Sequence, residues 1–249
     1  KTMVPLGPVV VFGSSNFPFA YSTAGGDTAS AFAAGCTVVV KAHPAHPETS
    51  TLVAAVIDEA VKACGLPPHT FQHVHGASFE VGKALVTDHR TSAVGFTGSF
   101  SGGKALFDWA AQRKEPIPVF SEMGSTNPVF LLPGRLSKEA AVLAKQLAGS
   151  MTLGMGQFCT KPGLMIGMAG SDLDAFIHTL GEEITKVLPT EMLHEGIVKA
   201  YGEKKGKALS IDGVELVSES GQDAAGLQGR PTVARARPRA SPLSRPRRA

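Results

Sequence analysis

Residues Pro8–Phe12 have the sequence Pro-Val-Val-Val-Phe, a short apolar run that predicts a buried β-strand. A second run of the same kind is Thr37–Lys41, and the helical pattern Asp27–Ala34 lies between the two, with Asp27 as its predicted N-cap. This alternation of short strands and helices continues to Leu132. It is typical of βαβ units around a parallel sheet that binds ligands at the carboxyl ends of its strands. The sequence therefore predicts an α/β fold.

The pattern changes twice along the chain. A helix is predicted at Ser137–Ser150 and a strand at Leu164–Met168, and two amphipathic helices follow before Ser220. Beyond that point the residues are mainly Pro, Ala and Arg. We therefore expect two partial domains, at residues 1–121 and 122–220, and a tail at residues 221–249 outside the fold.

Charge is unevenly distributed along the chain. The formal net charge is +3, but seven of the ten arginines lie between Arg230 and Arg248, and without them it is −4. A mildly acidic body does not support nucleic-acid binding. The tail has too few large apolar residues to form a core and is predicted to be disordered. We interpret it as the product of a shifted reading frame, with an arginine-rich tail that binds phosphate as the alternative.

Composition narrows the class of protein further. With 43% hydrophobic residues the chain can form a core, and no apolar run reaches the roughly 18 residues of a membrane helix. No signal peptide is visible, and three unevenly spaced cysteines form no disulfide framework. We therefore expect a cytoplasmic protein that does not contact membranes. Because the chain begins at Lys1, we also expect a fragment of a longer protein.

Cys159 lies in the stretch Gly-Gln-Phe-Cys-Thr at residues 156–160. Small neighbours leave this thiol accessible, whereas most cysteines of reduced proteins are buried as small apolar groups, our interpretation of Cys36 and Cys64. A free thiol has a pKa of about 8.5, so a nucleophilic cysteine needs a helix N-terminus, a cation or a base nearby. Cys159 is the candidate nucleophile.

Four further polar motifs follow predicted strands. Asn16 lies in a Ser-Asn-Phe-Pro turn, and Lys41 ends the second strand. The glycine-rich segment Phe96–Gly103 leads into a helix, and Glu122 begins the motif Glu-Met-Gly-Ser-Thr-Asn-Pro. Three of them have a simpler interpretation when taken alone: Asn16 as a turn residue, the glycine-rich segment as a helix start without a ligand, and Glu122 as a surface acid.

In this order, the motifs resemble those of the aldehyde dehydrogenase superfamily, over about Pro5 to Gly167. The segments Gly25–Ser30, Lys41–Pro47 and Gly156–Thr160 look most like those of α-ketoglutaric semialdehyde (2,5-dioxovalerate) dehydrogenases and NADP-dependent fatty aldehyde dehydrogenases. The resemblance implies a Rossmann-like cofactor domain at residues 1–121 and part of an α/β catalytic domain at residues 122–220. It also implies a homo-oligomer for the full-length form and a small aldehyde as substrate.

The resemblance implies three catalytic residues. Cys159 attacks the aldehyde carbon, and the Asn16 side-chain amide and the Cys159 backbone N–H stabilise the resulting oxyanion. Hydride transfer leaves a thioester, and Glu122 acts as general base for its hydrolysis, with a pKa raised by a dry pocket.

The resemblance also implies the cofactor-binding residues. Gly98, Ser99 and Gly103 correspond to the phosphate turn at a helix N-terminus, and Lys41 to the residue that binds the adenine ribose. Three positions after Lys41, where NAD-preferring relatives carry a glutamate, this chain has Pro44, and His43 is available to attract a 2′-phosphate. We therefore expect NADP, with NAD as the alternative. His43 and His46 lack a third ligand, so no metal is expected.

The chain departs from the family in two ways. Ser125-Thr126 replaces the usual Gly-Lys, and nothing after Thr160 resembles the Glu-x-Phe-Gly-Pro segment that binds the nicotinamide ribose. Three functions remain open: an NADP-accepting dehydrogenase of an aldehyde with a distal carboxylate or a long chain, a non-catalytic piece that at most binds nucleotide, and an acylating dehydrogenase that transfers the thioester to coenzyme A. Glu122 favours hydrolysis over that transfer.

Overall fold

The structure is a computed structural model that describes residues 4–236. The chain divides into two compact units, Lys1–Gly124 and Ser125–Ala249. The division falls three residues after the predicted boundary at 121, because the last strand of the first unit continues to Met123. Within the described residues, no helix combines the length and apolar character that crossing a membrane requires.

The first unit is built on a five-stranded parallel sheet with the strand order β3-β2-β1-β4-β5. The chain reverses its direction of winding between β1 and β4, which is where ligands bind in open sheets of this kind. The strands are β1 (Val9–Phe12), β2 (Val38–Lys41), β3 (Phe71–Val74), β4 (Ala93–Gly98) and β5 (Val119–Met123), and the helices are α1 (Gly26–Ala33), α2 (Pro47–Ala63), α3 (Phe79–Thr87) and α4 (Phe100–Ala111).

Alternating side chains of the strands bury two separate apolar layers. Val9, Val11, Val38 and Val40 pack with residues of α1 and α2 on one face of the sheet. Val10, Phe12 and Val94 pack with α3 and α4 on the other face. Because both faces are covered around β1, its sequence is a continuous apolar run, as in other parallel sheets. The predicted α/β, Rossmann-like class is confirmed.

The second unit has a helical centre flanked by short strand pairs. Leu136 and Ala148 of α5 and Phe176, Leu180 and Ile184 of α6 form its core. Strands β6 and β7 pair in parallel, whereas β9 pairs with β11 and β8 with β10 in antiparallel fashion. The elements are β6 (Pro128–Leu131), α5 (Pro133–Thr152), β7 (Leu164–Gly167), α6 (Ser171–Lys186), β8 (Thr190–Glu191), α7 (Glu195–Leu209), β9 (Val214–Glu219), β10 (Gln228–Gly229) and β11 (Thr232–Ala236).

The expectation that the chain leaves the fold at residue 221 is wrong for the segment up to residue 236. Strands β10 and β11 lie inside the predicted tail, and Val233 is buried in the core of the second unit. The Arg230 guanidinium contacts Glu219 at 3.0 Å, and Arg235 contacts Asp174 at 3.0 Å. Two of the tail's arginines therefore form ion pairs on this unit. The rest of the predicted tail, residues 237–249, lies outside the described residues.

Candidate functional site

A cleft of about 220 Å³ lies at the carboxyl ends of β1 and β2, on the α3–α4 side of the sheet. Four aromatic side chains line it, those of Phe12, Phe79, Phe96 and Trp109. Lys41 is the one charged side chain among the described residues that line it. A mostly apolar cleft with few polar groups is the usual form of a small-molecule site.

Two of the predicted cofactor residues line this cleft. Lys41 is half-buried, and this burial lowers the pKa of its ammonium group. The His43 ring accepts a hydrogen bond on Nδ1 from the Ala45 N–H (3.1 Å), which leaves the proton of a neutral ring on Nε2. The His43 and His46 rings stack with their centroids 5.6 Å apart. In residues 4–236, no group of three or more His, Cys, Asp or Glu side chains could hold a metal ion.

The glycine-rich segment caps helix α4. Ser99 is the N-cap residue, and its Oγ accepts a hydrogen bond from the Gly102 N–H (3.2 Å). A Cβ at Gly98 would lie 2.7 Å from the Phe96 ring, and one at Gly103 would lie 2.5 Å from Cγ of Met123. These close contacts give both glycines a packing role that needs no ligand. Their role in phosphate binding stays a prediction.

Asn16 lies in a loop between β1 and α1 that we call the Asn16 loop, Gly13–Gly25. The Ser14 N–H donates to the Tyr21 carbonyl (2.8 Å), and the Tyr21 N–H donates to the Phe17 carbonyl (3.2 Å). The Gly13 N–H donates to the Lys41 carbonyl (3.4 Å), so the loop starts beside the end of β2. Backbone hydrogen bonds therefore define the turn that carries Asn16.

Glu122 lies on the edge strand β5, opposite Thr97 of β4. Its side chain is exposed, so the described structure does not place it in a dry pocket. Asp27 lies above the same face of the sheet, because a Cβ at Gly95 would be 3.1 Å from Asp27 Oδ2. Burial, and secondarily the Glu122 carboxylate, raises the pKa of the Asp27 carboxyl. Asp27 was the predicted N-cap of α1, but the N-cap in the structure is Gly25. Asp27 is the second residue of the helix.

Cys159 lies in a turn of the second unit, after the 3₁₀ segment Leu153–Gly156 and before β7. Its side chain is half-buried and does not lie at a helix N-terminus, so that source of thiolate stabilisation is absent in the described structure. The turn follows three consecutive residues of positive φ, at Gly154, Met155 and Gly156. Positive φ is unusual for Met155, whose side chain is buried.

Asn127 holds the backbone of this turn, a role that the sequence analysis did not assign. Its Nδ2 donates to the Cys159 carbonyl (2.5 Å) and the Lys161 carbonyl (3.0 Å), and it lies 2.8 Å from Ser125 Oγ. The Ser125 hydroxyl also donates to the Cys159 carbonyl (2.5 Å). Asn127 has a φ of 44°, a conformation that asparagine tolerates better than most residues. Its position before a proline could have indicated a special backbone but not this contact.

Two other features distinguish the Cys159 turn. Lys161 is half-buried, and this burial lowers the pKa of its amine. Gly163 approaches the Thr126 backbone so closely that a Cβ would lie 2.5 Å from the Thr126 carbonyl oxygen.

Of the other cysteines, Cys36 is buried as expected, but Cys64 is exposed because it is the C-cap of α2 at the surface. The prediction of a buried Cys64 is therefore wrong.

The predicted site residues divide between the two units. The first unit contains Asn16, Lys41, His43, the Gly98–Gly103 segment and Glu122, all in or after strands β1, β2, β4 and β5. The second unit contains Cys159. Within the first unit, the structure brings Lys41 and His43 together in the cleft, with Gly102 on its wall.

Comparisons with known proteins agree on one family. The model of the "Aldehyde dehydrogenase family" matches residues 1–196. The chain is 49% identical over 214 residues to α-ketoglutaric semialdehyde dehydrogenase 2 of Azospirillum brasilense, covering 86% of this chain and 41% of that protein. It is 44% identical over 219 residues to the α-ketoglutaric semialdehyde dehydrogenase of Acinetobacter baylyi, covering 88% of this chain and again 41% of the relative. The chain thus spans less than half the length of these relatives.

Solved structures share the fold at lower identity. A benzaldehyde dehydrogenase from Corynebacterium glutamicum superposes with a TM-score of 0.75 at 24% identity, over 93% of this chain and 50% of that one. The GapN glyceraldehyde-3-phosphate dehydrogenase of Methanocaldococcus jannaschii, solved with NADP, has a TM-score of 0.75 at 22% identity, again over 93% of this chain and 50% of that one. The match to the family model extends over both units of the fold and includes Asn16, Lys41, Glu122 and Cys159. The chain belongs to the aldehyde dehydrogenase family.

Proposed function

We propose that this chain is part of an enzyme that oxidises α-ketoglutaric semialdehyde, or a related semialdehyde or long-chain aldehyde, to the carboxylate with NADP. The observation that carries the proposal is the identity of 49% and 44% to two enzymes named for that substrate, over most of this chain. The half-buried Cys159 thiol and the cleft beside Lys41 support the proposal, because the reaction needs a nucleophile and a cofactor site.

In the proposed reaction, Cys159 acts as the nucleophile. Its thiolate forms a bond to the aldehyde carbon, and the carbonyl oxygen becomes an oxyanion that accepts hydrogen bonds from the Asn16 amide and the Cys159 N–H. A bound nicotinamide cofactor would supply the hydride acceptor, and loss of the hydride from the former aldehyde carbon leaves an acyl thioester on Cys159. Glu122 then takes a proton from water as the water attacks the thioester, and the carboxylate leaves as the thiolate is restored.

The residues of the cleft fit a nicotinamide dinucleotide. Lys41 provides a donor at the end of β2, and the apolar walls between α3 and α4 suit a flat adenine ring. Gly102, in the first turn of α4, lies on the same wall, where a helix N-terminus favours an anionic group. We assign the ribose to Lys41 and the pyrophosphate to the Gly98–Gly103 segment.

The charges at the cleft support the proposed preference for NADP. Pro44 lines it, and none of the described residues that line it is acidic. A 2′-phosphate therefore meets no repelling carboxylate, while Lys41 and His43 offer positive charge or donors. Introducing a carboxylate with Pro44→Glu is expected to weaken NADP binding by about 1–3 kcal/mol and to affect NAD much less.

Binding can be measured without turnover, because Trp109 is the only tryptophan of the chain and lies in the cleft. We expect NADP to quench its fluorescence in the 249-residue chain, and Pro44→Glu to shift the titration to higher NADP concentration. Wild-type protein that binds NAD and shows no response to NADP would contradict the assigned preference.

Turnover with NADP and α-ketoglutaric semialdehyde is tested for the 249-residue chain and for the full-length form. In the full-length form, Cys159→Ala is expected to abolish NADPH formation and to leave NADP binding near normal, whereas Cys64→Ala, at an exposed cysteine, should retain both. A second candidate function is nucleotide binding without turnover, since every residue of the cleft belongs to the first unit and Cys159 does not. A Trp109 response with no NADPH formation in the wild-type chain would favour that candidate.

A further inference from the structure

The side chain of His46 forms a hydrogen bond outside the helix that this residue precedes. It is the N-cap residue of α2, yet its side chain makes no capping hydrogen bond. Its Nε2 instead lies 2.8 Å from the Ser14 carbonyl oxygen, 32 residues earlier in the chain. A carbonyl only accepts, so Nε2 carries the proton and donates it. His46 Nδ1 is buried and has no hydrogen-bond partner among the residues that the structure describes.

This hydrogen bond joins two segments with separate roles in the proposed reaction. Ser14 belongs to the Asn16 loop and lies two residues before Asn16. His46 closes the segment Lys41–His46, which we call the Lys41 loop, and its backbone N–H donates to the His43 carbonyl (3.2 Å). The Lys41 loop lines the nucleotide cleft, and the Asn16 loop carries the proposed oxyanion donor.

A second contact holds the far end of the Asn16 loop. Thr23 Oγ1 lies 2.6 Å from Ser50 Oγ of α2, and Ser50 Oγ lies 2.7 Å from His73 Nε2 of β3. Thr23 and Ser50 are fully buried. The loop is therefore attached at both ends to α2, and the attachment nearer to Asn16 is the one made by His46.

We propose that His46 is a positioning residue for the reaction, which holds the Asn16 loop in register with the Lys41 loop through its hydrogen bond to the Ser14 carbonyl. The inference rests on the proposed role of Asn16. An oxyanion donor contributes to the rate only when its N–H points to where the charge develops, so a small displacement of the loop is costly. In the proposed reaction, His46 touches neither substrate nor cofactor and acts through Asn16.

Two substitutions distinguish the effect of losing the hydrogen bond from the effect of losing the imidazole ring. In His46→Gln, the amide nitrogen is as many bonds from Cβ as Nε2 is, so it can donate to Ser14. In His46→Asn, the amide nitrogen stands in the place of Nδ1 and does not reach Ser14. We therefore expect Gln to restore the contact and Asn to lose it, although both are neutral amides.

The first measurement uses hydrogen exchange of the free 249-residue chain, followed by mass spectrometry. His46→Asn is expected to raise exchange several-fold in peptides that cover residues 13–26, and His46→Gln is expected to resemble the wild type. Peptides of α4 should not change in either variant and serve as the control for global unfolding. Equal protection of residues 13–26 in all three proteins would overturn the proposal.

The second measurement is a double-mutant cycle on NADP-dependent turnover. His46→Asn is expected to lower kcat by about 10- to 100-fold with a much smaller change in the KM for NADP. In an Asn16→Ala background, the same change should have almost no further effect, because the two residues act through one donor. Additive losses would show that His46 acts elsewhere and would overturn the proposal. If the full-length form does not oxidise the aldehyde, the proposed function fails, while the exchange experiment still decides whether His46 holds the loop.

Discussion

Asn127 donates hydrogen bonds to the carbonyl groups of Cys159 and Lys161, two residues apart in the turn that carries the candidate nucleophile. The side chain thereby replaces the regular backbone pairing that a turn of this shape lacks. Its backbone has a φ of 44°, so this position uses both the side-chain amide of asparagine and its tolerance of positive φ. A substitution at this position can therefore remove the amide, the backbone conformation or both.

We expect Asn127→Ala to loosen the Cys159 turn, since both carbonyls lose a donor and alanine is strained at positive φ. The rate of Cys159 alkylation by iodoacetamide, measured by mass spectrometry, should rise several-fold. Alkylation of the exposed Cys64 in the same sample is the internal control. Asn127→Gly, which keeps the backbone conformation and loses only the amide, should have a smaller effect. Unchanged Cys159 alkylation in both variants would remove Asn127 from this role.

A second residue-level prediction concerns Asp27, whose carboxyl has a raised pKa because of burial and of the neighbouring Glu122. The folded state then holds this proton more tightly than the unfolded state, whose pKa is near 3.8. Stability must therefore fall as pH rises from the unfolded pKa through the raised folded one. Asp27→Asn is expected to flatten this part of the stability profile.

Urea denaturation followed by Trp109 fluorescence reports on the unit that contains Asp27. The matched control is Glu80→Gln, because Glu80 is also the second residue of its helix, α3, and is exposed. An Asp27→Asn profile that keeps the wild-type slope above pH 4 would contradict the assignment.

At the scale of elements, apolar periodicity predicts most of the first unit. The strands that begin at Val9 and Val38 are largely buried and appear as short β-branched runs. Strands β9 and β11 were not predicted, because they are partly exposed and pair only with each other. The paired residues of β9 and β11 lie thirteen or more positions apart in the chain, and the local sequence of either strand does not indicate this pairing. The cleft itself depends on where α3 and α4 lie, which periodicity does not determine.

Packing of α4 against the sheet leads to a prediction at Gly103. A Cβ there would lie 2.5 Å from Cγ and 2.9 Å from Sδ of Met123, so Gly103→Ala displaces the Met123 side chain or the helix. We expect a loss of roughly 1–3 kcal/mol in the free energy of unfolding, as for other overpacked contacts. Gly26→Ala is the control, since it lies in the first turn of α1 with nothing within 4 Å of the added Cβ. Equal stability of the two variants in urea would contradict the packing argument.

At the scale of the whole molecule, composition led to the largest error. The arginine-rich composition after residue 220 predicted a tail outside the fold. Val233, however, is only 8% exposed and packs in the core of the second unit. Arginine is compatible with a partly exposed strand because its charged group can reach solvent or an acid, as Arg235 does with Asp174. Composition averaged over a segment hides a single buried residue that decides whether the segment is folded.

Val233→Asp tests whether β11 stabilises the second unit. A carboxylate at a buried position without a partner is expected to lower the free energy of unfolding by about 3 kcal/mol or more. Ala234→Asp adds the same charge on the exposed face of the same strand and should have little effect. Thermal unfolding monitored by circular dichroism, with limited proteolysis, compares the two. Equal resistance to heat and protease would mean that β11 contributes nothing to the unit.

The location of the proposed nucleotide cleft within the first unit also bears on how such a protein can change during evolution. Its lining runs from Phe12 to Trp109, whereas the cysteine turn and its asparagine lie beyond residue 124. Substitutions that alter the choice of cofactor can therefore accumulate in one stretch of the gene and those that alter the thiol in another. Recombination near the codon for Gly124 would exchange one property and inherit the other intact. Directed evolution of cofactor preference can accordingly be confined to the first half of the chain.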